Sequence, residues 1–399
     1  MAGDRLLIAA SPGELRLARL HGGMLVAYTL ERPSRPSRVG ALCHARVTAL
    51  APALAGAFLA ITPEETAFLP AEEAEPERRD GAPVRPIGTL VHAGQAIAVR
   101  ISRDAMGGKG ARASARIPRE DREAAARLQP PALVTPGPDA IARALAEPPE
   151  AIVTDDPDLA HSLRSRFPAL AGRISVARAP LFDEWLEAEI ESLVAPEVPL
   201  PRGGRLRIAL TPVAATIDVD TGPAGGGSAR AEREAANRAA VVEAARQVAL
   251  RSLSGRIVLD LAGLPGGRGQ RAGLLEAARK AFAAWVPDSS VLGFSRLGLL
   301  EIVRPRIYPP LAELIGAPAE GVVVSPLTHA LAAFRAALRV ASAAGAVPRL
   351  VAAPAVIAAA RAERAALSAC AAQLGRPLEL VEEPGLSIAD WRVEDSRVR

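Results

Sequence analysis

Two short apolar runs, each delivering an acid, most strongly constrain what this chain can fold into. Residues 215–222 read Ala-Thr-Ile-Asp-Val-Asp-Thr-Gly, and residues 258–261 read Val-Leu-Asp-Leu. Apolar runs of this length bounded by Gly or Pro are typical of buried strands. A carboxylate at the end of a buried strand is unfavourable unless it has a partner, and a divalent cation is a common partner.

A helical stretch, about residues 232–253, separates the two acidic runs. A strand–helix–strand path returns the chain beside its start, so we expect Asp218 and Asp260 on neighbouring strand ends. Two carboxylates there, with Asp220 as a third, would suit magnesium, which takes oxygen ligands and serves phosphoryl transfer. Two plainer explanations stay open, because such acids also form turns or pair with a nearby Arg.

Composition sets only broad limits on the protein. A chain of 399 residues predicts two or more domains, and 49% apolar with 3% aromatic residues predicts a core of Ala, Leu and Val. Lys and Arg number 48 against 44 Asp and Glu, for a net charge of +4. This mild charge permits nucleic acid as a partner without arguing strongly for it.

Several classes of protein are disfavoured by what the chain contains. Cys43 and Cys370 form no CxxC pair, and the five His residues show no ligand spacing, so neither a disulfide framework nor a zinc site is indicated. Asp4 and Arg5 near the start do not fit a signal peptide. Arg residues interrupt the Ala-rich stretches near the end, which disfavours a membrane span. We therefore expect a soluble cytoplasmic protein.

Residues 40–117 predict a small β-barrel. Five short strands with turn residues between them are expected at 41–50, 56–61, 66–69, 95–102 and 111–117. Five strands in about this length fit an OB-fold, which binds single-stranded nucleic acid on one face. The Gly-Gly-Lys-Gly sequence at 107–110 lacks the spacing of a P-loop and the Ser or Thr that should follow it, so it indicates a hairpin loop carrying Lys109.

Phe58 and Phe68 both fall in this barrel. As stacking platforms for bases, each would contribute about 1–3 kcal/mol per base. They could equally fill the core of a small barrel, and the sequence leaves both alternatives open.

The remaining segments predict further mixed structure. Strands are expected at 5–10, 14–20 and 24–30, and residues 118–149 indicate a polar helix with a Pro-rich connector. Residues 150–200 predict strand, helix, strand, helix. On the helix between the acidic runs, Arg246 and Gln247 cannot both lie on the apolar face, so part of it should face solvent or ligand. Residues 320–399 predict a separate α+β unit with helices at 327–344 and 355–374 and strands at 350–352 and 378–381.

Taken together, these motifs resemble the ribonuclease E/G family, collinearly and over nearly the whole chain. The most specific block is Thr-Ile-Asp-Val-Asp-Thr-Gly at 216–222, then Asn237, Ala-Arg-Gln at 245–247 and Ile-Val-Leu-Asp at 257–260. The barrel contributes Gly-Ala-Phe-Leu-Ala-Ile at 56–61 and Lys-Gly-Ala-Arg at 109–112. Ser-Arg-Leu-Gly-Leu-Leu-Glu at 295–301 closes the resemblance.

The resemblance implies an α/β multidomain fold. It would hold an RNase H-like domain in two parts with an inserted OB-fold β-barrel, a DNase I-like α/β catalytic domain and a small α+β C-terminal domain. The boundaries it implies are 1–39 and 150–200 for the RNase H-like parts, 40–118 for the barrel, 119–149 for a short connector, 201–310 for the catalytic domain and 320–399 for the last domain.

The resemblance also implies an activity, magnesium-dependent endonucleolytic cleavage of single-stranded RNA in ribosomal RNA processing or messenger RNA decay. Asp218 and Asp260 would be the catalytic metal ligands, assisted by Asp220, which stands where the family usually has Asn. RNA would contact six residues, namely Phe58, Phe68, Lys109, Arg112, Arg304 and Arg306. The alternative is a catalytically inactive RNA-binding protein of the same fold, and a DNA nuclease is a third possibility that the barrel disfavours.

Two departures from the family pattern change what we expect. Residues 311–321 lack the Cys pair of the family's zinc-link, so we expect no zinc, and any homodimer would not be zinc-bridged. Residues 118–149 hold no counterpart of the family's 5′-phosphate sensor. We therefore expect no stimulation of cleavage by a 5′-monophosphate.

Overall fold

The structure is a computed structural model that describes residues 3–11, 14–33, 35–78, 81–177, 181–222, 229–263, 268–315, 326–341 and 347–397. The chain separates into two compact units, Met1–Pro318 and Ala319–Arg399, which are treated separately below. No helix among these described ranges combines the length and the apolar character that crossing a membrane requires.

Strands of the described residues are numbered in chain order. They are β1 Arg5–Ser11, β2 Glu14–His21, β3 Met24–Glu31, β4 Leu42–Ala51, β5 Gly56–Ala60, β6 Thr66–Pro70, β7 Ala96–Arg103, β8 Ala111–Ser114, β9 Ala132–Thr135, β10 Ala151–Thr154, β11 Ile174–Val176, β12 Glu197–Pro199, β13 Arg205–Leu210, β14 Ala215–Asp220, β15 Gly255–Asp260, β16 Ser290–Phe294, β17 Leu300–Arg304, β18 Pro348–Ala352, β19 Glu379–Glu382 and β20 Arg392–Asp395.

Helices are numbered in the same way. They are α1 Arg119–Ala125, α2 Ala140–Ala144, α3 Pro157–Arg166, α4 Glu184–Ser192, α5 Ala229–Leu250, α6 Arg268–Trp285, α7 Leu311–Ile315, α8 Pro326–Ala341, α9 Pro354–Ala362 and α10 Arg364–Leu374.

The first sheet has the order β11-β10-β1-β2-β3. Its first three strands in sequence form antiparallel pairs, while β10 and β11 lie parallel to β1, so the chain leaves this sheet after β3 and returns after residue 150. Side chains alternate between its two faces: Leu6 and Ile8 join one buried cluster, and Leu7 and Ala9 join the other. The strand, helix, strand, helix order expected for 150–200 is confirmed.

The second sheet closes into a five-stranded barrel. Its ring runs β4-β5-β6-β8-β7 and back to β4, with β6 and β8 as the one parallel pair of that ring. This arrangement is consistent with an OB-fold, and all five strands lie where the sequence predicts them. The sequence did not indicate β9, which pairs with the first residues of β4 on the edge opposite β7. This four-residue strand lies in the stretch predicted as a Pro-rich connector, and the prolines on either side of it do not indicate a strand.

The third sheet has the order β12-β13-β14-β15-β17-β16, and β14 and β15 are its one parallel pair. One face packs against α5 and α6 through Ile217, Val219, Ile257 and Leu259. Because side chains alternate along a strand, the residues between these positions point away from the helices. We call that side the outward face.

Part of α5 faces solvent as expected, for example at Val242, but Arg246 and Gln247 do not belong to that part. The Gln247 side chain is buried, and the Arg246 guanidinium donates hydrogen bonds to Glu189 of α4 and Glu243 of α5. Arg251 is also buried and donates to the Ala195 carbonyl just beyond α4. This polar stripe faces α4 and its following turn, a partner more than fifty residues away in sequence.

The C-terminal unit has the sheet order β19-β18-β20, with α8, α9 and α10 sharing its apolar core. The single helix predicted at 355–374 is two helices, because Glu363 between them has non-helical backbone angles of φ −82° and ψ 60°. The edge strand β20 was not anticipated. It is short, and five of the eight residues at 390–397 are charged (three Asp or Glu and two Arg), so the alternation of apolar side chains that predicts a strand is weak.

Candidate active site

Asp218 and Asp260 lie side by side on the outward face of the third sheet. Parallel pairing of β14 with β15 places the two residues directly opposite each other in register. Both side chains are exposed to solvent. Neighbouring strands are about 4.8 Å apart. The expected adjacency of the two strand ends is confirmed, and we call these two residues the carboxylate pair.

Asp220 lies two residues further along β14 on the same face, but it has partners of its own. Its carboxylate lies 3.0 Å from Arg205 Nη2 and accepts the Gly222 N–H at 2.9 Å. The pKa of Asp220 is lowered chiefly by the Gly222 N–H and further by Arg205. Both plainer explanations for a strand-end acid, turn formation and pairing with Arg, therefore apply to Asp220.

The carboxylate pair differs in this respect. Within the described residues, no hydrogen bond or ion pair at bonding distance reaches the Asp218 or Asp260 carboxylate. Like charges directly opposite each other on adjacent strands are unfavourable unless something neutralises them. No group of three or more Asp, Glu, His or Cys side chains in those ranges is arranged to hold a metal. A two-carboxylate set suits Mg²⁺, which binds through one or two carboxylates and keeps several waters.

Asn237 of α5 fixes the loop that follows Asp260. Its side-chain Nδ2 donates to the Ala262 carbonyl at 3.0 Å, and its Oδ1 accepts the Ala262 N–H at 3.1 Å. The side chain is buried, so both bonds are shielded from water. Asn237 was recognised only as part of a motif, and the structure gives it a positioning role two residues from the carboxylate pair.

Phe58 and Phe68 lie on the outside of the barrel rather than in its core. They are cross-strand neighbours on β5 and β6, with ring centroids 5.5 Å apart in an edge-to-face arrangement. The barrel interior is filled instead by smaller aliphatic side chains such as Leu59 and Leu69. Phe58 is 41% exposed. Of the two alternatives left open by the sequence, filling of the barrel core therefore does not apply to these two rings.

Basic side chains continue this surface around the barrel. Arg112 lies beside Phe68 in register and pairs with Glu72 at 2.6 Å, and Lys109 is exposed in the hairpin between β7 and β8. Arg103, opposite Arg112 on β7, was missed by the sequence reading. Partial burial lowers the pKa of Arg103, and nearby Arg112 and Arg306 lower it further. Strand alternation after the inward-facing Ile101 gave no signal for it, because the register shifts between Ile101 and Arg103.

Arg304 and Arg306, the two expected RNA contacts outside the barrel, lie in different surroundings. Arg304 donates to Asp288 at 3.1 Å and to the carbonyls of Val248 and Leu253, so it ties the sheet to the end of α5. Arg306 is exposed and packs against Gly255 at the start of β15. Five residues of strand rise put that point about 17 Å from the Asp260 end. Neither guanidinium lies beside the carboxylate pair.

Comparison with known proteins shows which family this chain resembles. Residues 116–307 match the family model described as Ribonuclease E/G family. The same chain is collinear with curated ribonucleases over most of its length. The chain is therefore similar to the ribonuclease E/G family.

Three relatives illustrate the extent of the similarity. Ribonuclease G of Escherichia coli K12 is 26% identical over 390 residues, covering 75% of this chain and 79% of the relative. Ribonuclease E of the same organism is 28% identical over 400 residues, covering 77% of this chain and 37% of the relative. The chloroplastic Ribonuclease E/G-like protein of Arabidopsis thaliana is 32% identical over 179 residues, covering 42% of this chain and 18% of the relative. The chain thus spans well under half of the last two relatives.

Proposed function

We propose that this protein is a magnesium-dependent endoribonuclease that cleaves single-stranded RNA. The observation that carries the proposal is the in-register placement of Asp218 and Asp260, two exposed carboxylates without hydrogen-bonding partners among the described residues. Similarity to Ribonuclease E and Ribonuclease G supports the same reaction class. A role in ribosomal RNA processing or messenger RNA decay follows from the family and belongs to this proposal.

The residues divide the work between binding and chemistry. Phe58 and Phe68 would stack on unpaired bases, while Lys109 and Arg112 would contact the RNA backbone beside them. Asp218 and Asp260 would hold Mg²⁺, which when bound activates a water and neutralises phosphate charge. Asn237 keeps the chain after Asp260 in place, so that the second carboxylate stays opposite the first.

A catalytically inactive RNA-binding protein of the same fold is the alternative. Such a protein needs the aromatic and basic surface of the barrel, but it gains nothing from two adjacent acids that repel RNA phosphates. The carboxylate pair therefore favours the enzyme. We also propose that no zinc is required, because residues 311–321 contain no Cys for a zinc-link.

The test is cleavage of a fluorescent, AU-rich single-stranded RNA with magnesium and with excess EDTA. Wild-type protein should cleave only with magnesium, and the Asp218→Asn/Asp260→Asn double variant should bind RNA but not cleave it. Asp288→Asn removes an exposed acid that pairs with Arg304 on the same sheet and serves as the matched control. Cleavage in EDTA, or by the double variant at the wild-type rate, would contradict the metal assignment.

A second arm tests the barrel surface. Phe58→Ala should weaken RNA binding by about 1–3 kcal/mol, because a stacking platform is lost. Leu54→Ala removes a comparably exposed apolar side chain from the turn after β4 and should leave binding unchanged. Fluorescence anisotropy in EDTA measures both. Equal losses in the two variants would argue against stacking at Phe58.

A further inference from the structure

A row of four charged side chains crosses the outward face of the third sheet. Glu197 on β12 lies opposite Arg207 on β13, Arg207 lies opposite Asp218 on β14, and Asp218 lies opposite Asp260 on β15. All four side chains are exposed. Arg207 is therefore the cation nearest in register to the carboxylate pair, one strand from Asp218.

The contact that holds Arg207 is one that a ligand can replace. Its Nη2 donates to Glu197 Oε1 at 2.7 Å, and the pKa of Arg207 is raised mainly by this bond, with smaller contributions from Asp218 and Asp220. Exposed ion pairs of this kind contribute little to stability, because water competes for both groups. The Arg207 guanidinium can therefore leave Glu197 for a stronger anion without disturbing the fold.

A bound dication would remove the net negative charge that otherwise repels an anionic ligand from this part of the outward face. Four carboxylates (Glu197, Asp218, Asp220 and Asp260) and two guanidiniums (Arg205 and Arg207) give a net charge of −2. A bound divalent cation brings that sum to zero. Arg205 forms an ion pair with Asp220 at 3.0 Å and lies opposite Asp220 in register, whereas Arg207 lies opposite Asp218. Arg207 is therefore the better placed of the two arginines to contact a ligand at the carboxylate pair.

We propose that Arg207 binds a phosphate of single-stranded RNA lying across Asp218, between the guanidinium and a metal held by the carboxylate pair. This inference rests on the proposed function for the metal and the RNA. The planar guanidinium offers two parallel N–H donors that match two phosphate oxygens. Such a cation, fixed before the reaction, stabilises charge that grows on those oxygens as the phosphodiester is cleaved.

Four variants separate this role from a purely structural one. Arg207→Gln removes the positive charge, and Arg207→Lys keeps the charge but loses the two parallel N–H donors of the guanidinium. Glu197→Gln releases the guanidinium without removing it, and so tests whether the ion pair itself matters. Arg256→Gln is the matched control, because Arg256 is exposed on the same face of β15, about 13 Å before Asp260.

Binding of a fluorescent single-stranded RNA is measured against salt with calcium replacing magnesium, and a gel confirms that the RNA stays intact. Arg207→Gln should weaken binding about fivefold and reduce the slope of log affinity against log salt by about 0.7, the value for one phosphate contact on a single strand. Arg207→Lys should restore most of that slope. Arg256→Gln and Glu197→Gln should bind at least as well as wild type.

Single-turnover cleavage in magnesium gives the second readout. Arg207→Gln should cleave about 10- to 100-fold more slowly, and Arg207→Lys should remain slow because a single ammonium cannot bridge two oxygens. Wild-type binding and cleavage by Arg207→Gln, or an equal loss in Glu197→Gln, would overturn the inference. Binding that depends on Arg207 in a protein that cleaves nothing would support the inference and contradict the proposed enzyme.

Discussion

The outward face of the third sheet and the α5 surface that meets α4 are both rich in polar residues. The charged groups differ in that those facing α4 are buried and hydrogen-bonded, whereas the carboxylate pair is exposed and has no hydrogen-bonding partner among the described residues. Towards α4, Arg251 donates to Gln247 at 2.7 Å and to the Ala195 carbonyl at 2.7 Å, inside a buried contact. On the outward face, the carboxylates of Asp218 and Asp260 lie adjacent and solvated, and the described residues supply neither with a hydrogen bond.

This difference separates residues that stabilise the fold from residues that we propose to bind a ligand. A buried polar group with complete hydrogen bonding fixes how two elements pack, and removing it leaves its partners unsatisfied. Two like charges in adjacent register stabilise nothing by themselves. Substitutions on the two surfaces should therefore move stability and activity independently.

The largest expected effect is on the outward face. Asp260→Asn should slow single-turnover RNA cleavage by about 1000-fold, because one of the two proposed metal ligands loses its charge. Its thermal unfolding temperature should be unchanged or higher, since the substitution removes repulsion from Asp218. A lowered unfolding temperature would show that Asp260 has a structural partner and would erase the distinction between the surfaces.

The next effect belongs to the α4 side and should have the opposite character. Arg251 is 6% exposed, and burial lowers its pKa to about 10, so the guanidinium stays charged at neutral pH. Arg251→Met should reduce the free energy of unfolding by about 2–3 kcal/mol, because Gln247 and the carbonyls of Ala195 and Ser192 lose their donor. Urea unfolding measures this, with the exposed Arg256→Met as control. Cleavage per folded molecule should stay near wild type; a large loss would mean that this packing also shapes the active site.

Asn237 belongs to both groups, because it is buried and yet holds the chain beside Asp260. Asn237→Ala should cost about 1–3 kcal/mol of stability, since the Ala262 N–H and carbonyl lose their partners. Cleavage should fall about tenfold, as small misplacements of a reacting group are expensive. The discriminating readout is the magnesium concentration for half-maximal cleavage, which should rise. Val242→Ala, at an exposed position of the same helix, should change neither quantity.

Local patterns predicted much of this molecule correctly. The five barrel strands were predictable because turn residues separate them, and the adjacency of Asp218 and Asp260 followed from a strand, a helix and a returning strand. Both cases depend on features that lie close together in sequence. The site residues themselves stood out because an acid ending an apolar run is unusual.

Other features depend on partners that a single sequence does not connect. Part of α5 does face solvent, as at Val242, but the burial of Arg246 and Gln247 depends on α4, which periodicity along α5 does not indicate. The place of Arg207 depends on the register between β13 and β14, which a hairpin sequence does not fix to one residue. The short strands β9 and β20 form only because β4 and β18 offer them an edge.

The smallest expected effect sharpens the comparison most, because Asp220 shares the outward face but is partnered like the buried groups. Asp220→Asn should change the cleavage rate by less than about threefold, whereas the loss of a metal ligand costs far more. The magnesium requirement should rise modestly, since Arg205 would keep its positive charge near Asp218 without compensation.

The lowered pKa of Asp220 determines the pH range over which this carboxylate contributes to stability. The pKa of Asp220 is lowered from its usual 3.8, so its stabilising contribution is present above that value and is lost only as the pH falls through the folded-state pKa. The difference in the free energy of unfolding between wild type and Asp220→Asn should therefore be constant from about pH 5 to pH 8. A loss of cleavage as large as that of Asp260→Asn would instead make Asp220 a third metal ligand. The Arg205 pair would then be a contact that the metal displaces, and a visible partner would no longer distinguish structural acids from catalytic ones.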